Sequence, residues 1–434
     1  MSRPATELHH VLSFTHETTL ADIPDDAVRL GRRLLLDLLG VAAAGSKTEL
    51  SRIIRDHAVA HFGAGSGAKS APMLFDSRLV SPAGAALAGG MTIDSIDAHD
   101  GHRLTKGHTG CGLLPALLAL HAAEQIDDWD EFMAALIVGY EVATRAGIAL
   151  HATVPDYHTS GAWIAVGCAL VGSRTLRLDA ATTAEAVGIA EYHGPRSQMM
   201  RVIDHPTMLK DGSGWGAMAG VSAIYLAADG FTGAPAITID SPEVTDFWSD
   251  LGSTWLIGDQ YLKQFPVCRW AQPAVTAAHG LMTRHGLRAA DVADVEVTTF
   301  HEGARLAVRH PATTEQAQYS LPFPVAATIV RGEVTPTTVT SGLHDEAINR
   351  LSAAIRIVED DDHNAAFPAR RFARVALTLT DGRRFESADT EATGDPHTPL
   401  SDEAVMAKFR SYAGPAAAGL EQASSVAELL AQPA

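Results

Sequence analysis

The sequence has little cysteine, with three such residues among 434: Cys111, Cys168 and Cys268. They are too few and too scattered for a disulfide framework or for a metal site built from thiolates. We therefore expect all three to be ordinary small side chains in the interior.

The chain also lacks an excess of basic residues. It has 33 Lys and Arg residues against 51 Asp and Glu residues, which gives a formal net charge of -18 at pH 7. Because nucleic acids and anionic membranes repel such a protein, the charge balance argues against both as partners.

Long apolar runs are missing as well. No stretch approaches 18 uninterrupted apolar residues, which is the length that a membrane-spanning helix needs. Residues 1–10 lack the charged start and apolar run of a secretory signal. We expect a cytoplasmic protein without a membrane segment.

What is present is a globular composition, with 46% hydrophobic and 19% charged residues. A chain of this length exceeds what one hydrophobic core usually organises, so two domains or one domain with a large insertion are expected.

From Pro24 to about Asp229, apolar residues recur three and four positions apart, which predicts one helix after another. Pro24 and the acids after it are a good helix start, and Gly40 or Gly45 could end that helix. Several later helices carry no strong polar face, so we expect them inside a thick bundle. These later helices are predicted at 83–93, 113–123, 129–146, 161–171, 181–192 and 214–228.

The pattern changes near residue 290. Residues 294–300 and 373–380 alternate and are rich in β-branched side chains, and Asp381-Gly382 leads into a further short run, which is a strong hairpin signal. Helices are predicted around these strands at 272–285 and 322–331, and the helical pattern returns after Pro399.

Together these patterns predict a mainly α protein in which a large all-α domain is interrupted by a smaller α+β domain. The helical domain is assigned to residues 1–262 and 400–434. The α+β domain is assigned to residues 263–399.

The segment from Asp94 to His108 holds three imidazoles, three carboxylates, an Arg and a Lys within fifteen residues. It could be a solvated polar loop. It could also hold a metal through His99, His102 and His108, as in a metal-dependent hydrolase. In a third interpretation a histidine is a general acid or base whose tautomer is set by an aspartate such as Asp97. The spacing alone does not choose among these.

Three other candidates stand near the ends of predicted elements. His158 precedes a helix that Thr159 or Ser160 could cap, where the helix dipole favours a neutral imidazole or a bound anion. Lys210 leads into a glycine-rich helix start, and Lys263 with Arg269 lies at the proposed domain junction. A lysine in such a setting can bind a carboxylate as a point charge.

In this order, the clusters make the chain resemble the MmgE/PrpD family, which includes 2-methylcitrate dehydratases, cis-aconitate decarboxylases and iminodisuccinate epimerases. The resemblance covers nearly the whole chain, and the ordered set carries it rather than any one motif. The landmarks are Leu36-Asp37-Leu-Leu-Gly40-Val, the segment from Asp97 to Gly110, Gly139-Tyr140-Glu141-Val, Tyr157-His158-Thr159, Met208-Leu-Lys210, Gly230-Phe231-Thr232-Gly233, Lys263-Gln-Phe-Pro266-Val-Cys268 and Ser320-Leu-Pro through Gly332.

This resemblance implies a helical domain with an α+β lid, a homodimer, a site in the cleft between the domains, and no metal or other cofactor. His108, His158 and Asp97 match the family's catalytic positions. Lys210 and Lys263 match lysines that line an anionic substrate pocket, to which we add Arg269 and His102 as candidate substrate-binding residues.

The chain departs from the family pattern at several of these positions. The usual Asp-x-Asp-Asp run here reads Asp97-Ala-His99-Asp100-Gly101-His102, a lid tyrosine is replaced by Phe323, and a histidine is replaced by Gln272. Despite these departures, the resemblance as a whole favours a lyase that dehydrates or decarboxylates a small di- or tricarboxylate by histidine-mediated proton abstraction. An epimerase of the iminodisuccinate type, which shares that first step, is the alternative, and the metal-dependent hydrolase is a third.

Overall fold

The computed structural model of the protein describes residues 6–433. Residues 1–5 and Ala434 lie outside the described residues. The predicted helical domain and the amino-terminal segment begin with residues 1–5. The amino-terminal part consists mainly of helices, namely α1 (Thr6–Glu17), α2 (Asp25–Gly45), α3 (Glu49–His61), α4 (Pro82–Asp94), α5 (Gly110–Glu124), α6 (Trp129–Thr153), α7 (Gly161–Thr175), α8 (Ala180–His193), α9 (Met200–Asp204), α10 (Ser213–Ala228) and α11 (Ile237–Asp240).

Two small two-stranded sheets accompany these helices. Strands β1 (Ala71–Met73) and β2 (Asp76–Val80) form a hairpin between α3 and α4. The very short strands β3 (Gly101–His102) and β4 (Gln260–Tyr261) pair across a long sequence separation. The second pairing ties the histidine-rich loop to the segment that carries Lys263.

Helices α4, α5, α7 and α10 pack against one another at the centre of the bundle. Glycines allow two of these contacts: a Cβ at Gly90 of α4 would lie 2.5 Å from the Cα atom of Gly214 in α10. A Cβ at Gly216 would lie 2.6 Å from the Cα atom of Gly161 in α7. These small residues therefore let the helix backbones approach closely. Such packing suits helices that have no polar face and lie inside the bundle.

Helix α6 is, among the described residues, the one helix long and apolar enough to cross a membrane. Of its most apolar 18-residue window, 94% is buried inside the protein, as in the core helix of a globular domain. It begins at Trp129 as predicted but continues to Thr153. Asp128 caps it, because its side chain accepts a hydrogen bond from the backbone N–H of Glu131.

The carboxyl-terminal part mixes helices with one larger sheet. Its elements are α12 (Gln272–His285), β5 (Val292–Thr299), α13 (His301–Ala304), α14 (Thr314–Gln318), α15 (Pro322–Arg331), α16 (Pro336–Val339), α17 (Glu346–Ala354), β6 (Arg356–Glu359), α18 (Asp361–Ala366), β7 (Ala373–Leu379), β8 (Arg384–Glu386), α19 (Asp402–Ala413), α20 (Ala417–Gln422) and α21 (Val426–Leu430).

The four strands of this sheet lie in the order β6-β5-β7-β8. The hairpin of β7 and β8 forms at Asp381-Gly382, where Gly382 has the positive φ of 85° that such a turn needs. Strand β6, which pairs with β5 in parallel, was not predicted, because its four residues are too few to show an alternating pattern.

Two large hydrophobic cores result. The first contains the long amino-terminal helices together with Phe409 and Leu430 of the last helices, since α19 packs on α2. The second lies between the sheet and α12 and α15 and contains Val297 and Phe323, but it also takes in Val202 of α9. The mainly α fold with a smaller α+β region is thus confirmed, while the division at residues 262 and 400 stays a prediction.

Candidate active site

Four segments meet at the boundary between the two cores. They are the loop after α4 with Asp97, His99 and His108, the turn before α10 with Lys210 and Asp211, the segment after β4 with Lys263, and the end of α14 with Gln318. Each of these residues is at most 5% exposed to solvent. The structure therefore brings Asp97, His108, Lys210 and Lys263 together. We call this group, with His99, Asp94, Asp211 and Gln318, the buried cluster.

Lys263 and Asp97 form an ion pair in which Nζ of Lys263 donates to Oδ1 of Asp97. Burial alone would raise the pKa of Asp97, but the Lys263 and Lys210 ammonium groups and the neighbouring imidazoles hold that pKa well below its usual range. Burial likewise lowers the pKa of Lys263, but the charge of Asp97 outweighs it and the net shift is upward. Both groups are therefore ionised at neutral pH.

Lys210 is held by the carboxyl-terminal part of the chain. Its Nζ donates to Oε1 of Gln318 at 2.8 Å and lies 4.6 Å from the centre of the Tyr319 ring. The same oxygen of Gln318 accepts from the backbone N–H of Asp97 at 2.8 Å. One side chain of α14 thus positions both the lysine and the aspartate across the boundary between the cores.

His108 is oriented by a backbone carbonyl. Its Nδ1 lies 2.5 Å from the carbonyl oxygen of Asp100, and because a carbonyl only accepts, Nδ1 carries the hydrogen. Its Nε2 faces Asp211 Oδ2 at 3.3 Å and Asp97 Oδ1 at 3.9 Å. The expected orienting role of Asp97 is thus filled by the Asp100 carbonyl, while Asp97 itself is engaged by Lys263.

Burial lowers the pKa of His108 well below 6.5, and the Lys263 ammonium lowers it further. The imidazole is therefore neutral at physiological pH. Its side chain is 7% exposed, against 0% for His99 and 2% for Asp97. Of these three side chains, that of His108 is the most exposed.

His99 lies beside His108, with ring centres 4.4 Å apart and planes nearly perpendicular. Its Nε2 is 3.5 Å from Asp94 Oδ1 and 3.9 Å from Asp97 Oδ1. Among the described residues, Asp97, His99 and His108 offer three possible metal ligands within 4.8 Å of one another. Two ammonium groups adjoin these ligands, and one of them is bonded to Asp97, so a divalent cation there would meet strong repulsion.

His102, the third histidine of the metal interpretation, does not belong to that group of ligands. It lies on β3 and pairs with Gln260 of β4, and burial together with Arg103 and Arg371 lowers its pKa to about 3. Neither of its ring nitrogens has a hydrogen-bond partner among the described residues. The set of His99, His102 and His108 is therefore replaced by one with Asp97 in the place of His102.

His158 and Arg269 are placed outside the buried cluster. His158 is only partly buried and stands beside His151, whose Nε2 accepts from the His158 backbone N–H at 3.0 Å. Arg269 forms an ion pair with Asp395 at 2.7 Å and donates to the Thr393 carbonyl at 2.8 Å. Arg269 thus ties the segment after Lys263 to the chain near residue 394, rather than lining the buried cluster.

Sequence reasoning missed several members of the cluster, above all Asp211 and Gln318. Asp211 directly follows Lys210 in the run Lys-Asp-Gly, which was the available signal. Gln318 lies two residues before the Ser320 motif and is uncharged, so no charge pattern indicated it. Lys408 of α19 was also missed: it pairs with Asp37 at 2.7 Å and donates to the Ala98 carbonyl at 2.7 Å, which holds the histidine-rich loop.

Comparison with known proteins adds a family and several relatives. The chain matches the model of the MmgE/PrpD N-terminal domain over residues 10–249 and that of the MmgE/PrpD C-terminal domain over residues 265–431. It is similar to a cis-aconitate decarboxylase of Mus musculus, with 25% identity over 429 residues that cover 92% of this chain and 85% of the relative. The Homo sapiens cis-aconitate decarboxylase is 24% identical over 426 residues, covering 92% and 86%. A cis-aconitate decarboxylase-like protein of Aspergillus oryzae is 23% identical over 480 residues, covering 95% and 94%.

Proposed function

Because the chain belongs to the MmgE/PrpD family, we propose that it is a lyase that removes carbon dioxide or water from a small di- or tricarboxylate without a cofactor. The curated relatives named cis-aconitate decarboxylase support a lyase. The acid-base character of the buried cluster supports a reaction that moves a proton at carbon.

The observation that carries this proposal is the setting of His108. Its Nδ1 is held by the Asp100 carbonyl, so the ring orientation is set and Nε2 remains as the reactive nitrogen. A neutral imidazole at neutral pH can take a proton from a carbon next to a carboxylate or return one. His108 is therefore the group that exchanges a proton with the substrate.

The two lysines supply the electrostatics that such a reaction needs. When a carbon next to a carboxylate gains negative charge, that charge is delocalised onto oxygens, and fixed cations near those oxygens stabilise the transition state. Lys210 and Lys263 are buried ammonium groups whose charges both act on Asp97. In the proposal they bind the substrate carboxylates and hold the developing charge in a site from which water is excluded.

We further propose that His158 is a second proton-transfer group at the rim of the site. It stands two residues before Ser160, whose Oγ accepts from the His108 backbone N–H at 3.0 Å. His102 is kept as a substrate-binding candidate because both of its ring nitrogens lack partners among the described residues. Arg269 is left out because Asp395 and backbone carbonyls take up its donors.

The reaction class can be tested by incubating the protein with a panel of small di- and tricarboxylic acids in deuterated water and recording NMR and mass spectra. A lyase is expected to form a product that has lost carbon dioxide or water. In a decarboxylation that product carries deuterium at the carbon that lost the carboxylate. Exchange and inversion at a carbon without loss of mass would instead identify an epimerase and overturn the proposal.

Removal of metal is expected to leave the turnover unchanged, since the proposed chemistry uses only side chains of this protein. The measurement is the rate before and after dialysis against EDTA, together with the metal content of the protein by mass spectrometry. Activity that disappears on dialysis and returns with one equivalent of a divalent cation would favour Asp97, His99 and His108 as ligands.

A further inference from the structure

Asp211 is held in an unusual backbone turn. Lys210 before it has φ 49° and Gly212 after it has φ 63°, so the aspartate lies between two residues in the left-handed region. A lysine in that region is strained, and such strain persists only where the surroundings enforce it. The turn directs the Asp211 carboxyl into the buried cluster, where the residue is 0% exposed.

One polar neighbour of the Asp211 carboxyl, the His108 ring, is suited to a group that holds a hydrogen. Ser160 Oγ accepts from the His108 backbone N–H at 3.0 Å and donates its own hydrogen to Asp211 Oδ2 at 3.3 Å. The same Oδ2 lies 3.3 Å from Nε2 of His108. Since Nδ1 of the neutral ring carries the hydrogen, Nε2 presents a lone pair, and a carboxylate would place a second lone pair against it.

The charge balance of the cluster leads to the same conclusion. Within the buried cluster, three carboxyl groups, those of Asp94, Asp97 and Asp211, stand against two ammonium groups, those of Lys210 and Lys263. Beside the cluster, Lys408 pairs with Asp37, and burial raises the pKa of Asp100. An uncompensated buried charge is costly, and one proton on a carboxyl removes it. Asp97 is paired with Lys263, which leaves Asp94 and Asp211 as the candidates for that proton.

Asp211 is the better candidate of the two. Burial raises its pKa far above the usual range of a carboxyl, and the Asp94 and Asp97 carboxyl groups raise it further, against the opposing effect of the two lysines. The Asp211 backbone N–H donates to Asp94 Oδ2 at 3.2 Å, which helps Asp94 to carry a negative charge.

We propose that Asp211 is a neutral carboxylic acid in the resting protein and that it supplies, through Nε2 of His108, the proton that the substrate carbon receives. Asp211 does not touch the substrate in this scheme, so it is a positioning and proton-relay residue. The kinetic part of this inference rests on the proposed lyase function, whereas the protonation of Asp211 does not.

A site that starts with this proton acts first as a proton donor, which selects decarboxylation among the lyase reactions. The bond between the carbon and its carboxylate breaks, carbon dioxide leaves, and the bonding electron pair stays on the carbon. The Asp211 proton has first passed to Nε2 of His108, which leaves a carboxylate on Asp211 and an imidazolium on His108. The carbon takes that proton from Nε2, and the imidazole is neutral again. Asp211 then regains a proton from water, so one solvent proton is consumed for each carbon dioxide released.

The protonation can be tested without substrate by infrared difference spectroscopy on protein labelled with ¹³C at the aspartate carboxyls. At neutral pH the substitution Asp211→Asn is expected to remove one carbonyl band of a protonated carboxylic acid. The matched control is Asp179→Asn at the exposed start of α8, where hydrogen bonds from Thr182, the backbone N–H first, lower the pKa of the carboxyl. That control is expected to remove a carboxylate band and leave the acid band in place.

If Asp211→Asn does not fold, Ser160→Ala addresses the same group, because it removes one hydrogen bond to the Asp211 carboxyl. The acid band is then expected to move to higher frequency. An acid band that neither variant removes or moves would overturn the inference.

The relay role is tested by kinetics on whichever acid the panel identifies. Asp211→Asn is expected to lower kcat by about 100-fold with little change in KM, and to abolish the decline of kcat at high pH that a required acid produces. Asp211→Glu is expected to restore part of the rate and the high-pH decline. A kcat of the wild-type size in Asp211→Asn would overturn the relay. If no acid is turned over by the wild-type protein but the acid band is present, the proposed function fails and the protonation of Asp211 stands.

Discussion

Replacement of His108 by glutamine is expected to lower kcat by about 10²- to 10⁴-fold, which is the usual contribution of a general acid or base. Glutamine keeps polarity and similar size, but it cannot gain or lose a proton near neutral pH. Because Lys210 and Lys263 stay in place, substrate affinity is expected to change much less than kcat. Steady-state kinetics on the acid identified by NMR would measure both.

Two further histidine variants test whether the loss of kcat is specific to His108. His158→Gln is expected to have a smaller effect than His108→Gln, because His158 is partly exposed and lies outside the buried cluster. His301→Gln is the matched control, since this side chain is exposed and its charged partner among residues 6–433 is Glu359. If kcat falls more in His158→Gln than in His108→Gln, our proposal assigns the proton transfer to the wrong histidine.

Replacement of Lys263 by methionine is expected to destabilise the protein by about 3–5 kcal/mol near pH 7, because it leaves the carboxylate of Asp97 buried and unpaired. Lys263 is 0% exposed and the side chain of Asp97 is 2% exposed, so water cannot replace the lost partner. Urea denaturation, with the slope compared between variants, measures the free energy of unfolding. The KM for a carboxylate substrate is expected to rise as well.

The pH dependence of this loss has a definite sign. In the wild-type protein the folded pKa of Asp97 lies below the unfolded value of about 3.9, so the pair stabilises above that pH and its contribution is lost in stronger acid. Without Lys263, burial raises the folded pKa above the unfolded one, and Asp97 destabilises increasingly as the pH rises from about 4. The difference between variant and wild type should therefore be larger at pH 7 than at pH 4.

A double substitution checks the mechanism of that loss. Adding Asp97→Asn to Lys263→Met removes the unpaired charge and is expected to recover most of the stability, although not the activity. In the wild-type background Asp97→Asn alone is expected to destabilise. If the two losses simply added, the ion pair would not be the reason for the effect of either substitution.

The parts of the fold that sequence predicted well are those with a strong local pattern. Helices α12 and α15 have the predicted bounds, because proline stands in the first turn of each and glycine follows each. The hairpin of β7 and β8 was found from Asp381-Gly382. By contrast, the end of α6 was placed too early, since nothing in its sequence stops the helix before Val154, and β6 was too short to be recognised.

The candidate site was predictable only in part, and the division has a physical basis. Lys210, Lys263, Asp97 and His108 could be named because the ordered motifs carry the resemblance to the family. Asp211 had only its place next to Lys210 as a signal and Gln318 had none, because their importance comes from contacts with residues far away in sequence, such as the bond from Lys210 to Gln318. The homodimer and the cytoplasmic location stay predictions.

The amino-acid sequence by itself determined the mainly α class, the position of the α+β region and the group of residue types suited to acid-base chemistry on an anion, because periodicity and composition act locally along the chain. Only the tertiary structure decided that the Asp100 carbonyl orients His108, that Asp97 is paired with Lys263, and that Asp211 lies beside Nε2 of His108. Those properties depend on burial and on distances between segments far apart in sequence. No local pattern encodes them, and they shift the pKa values of Asp97 and His108.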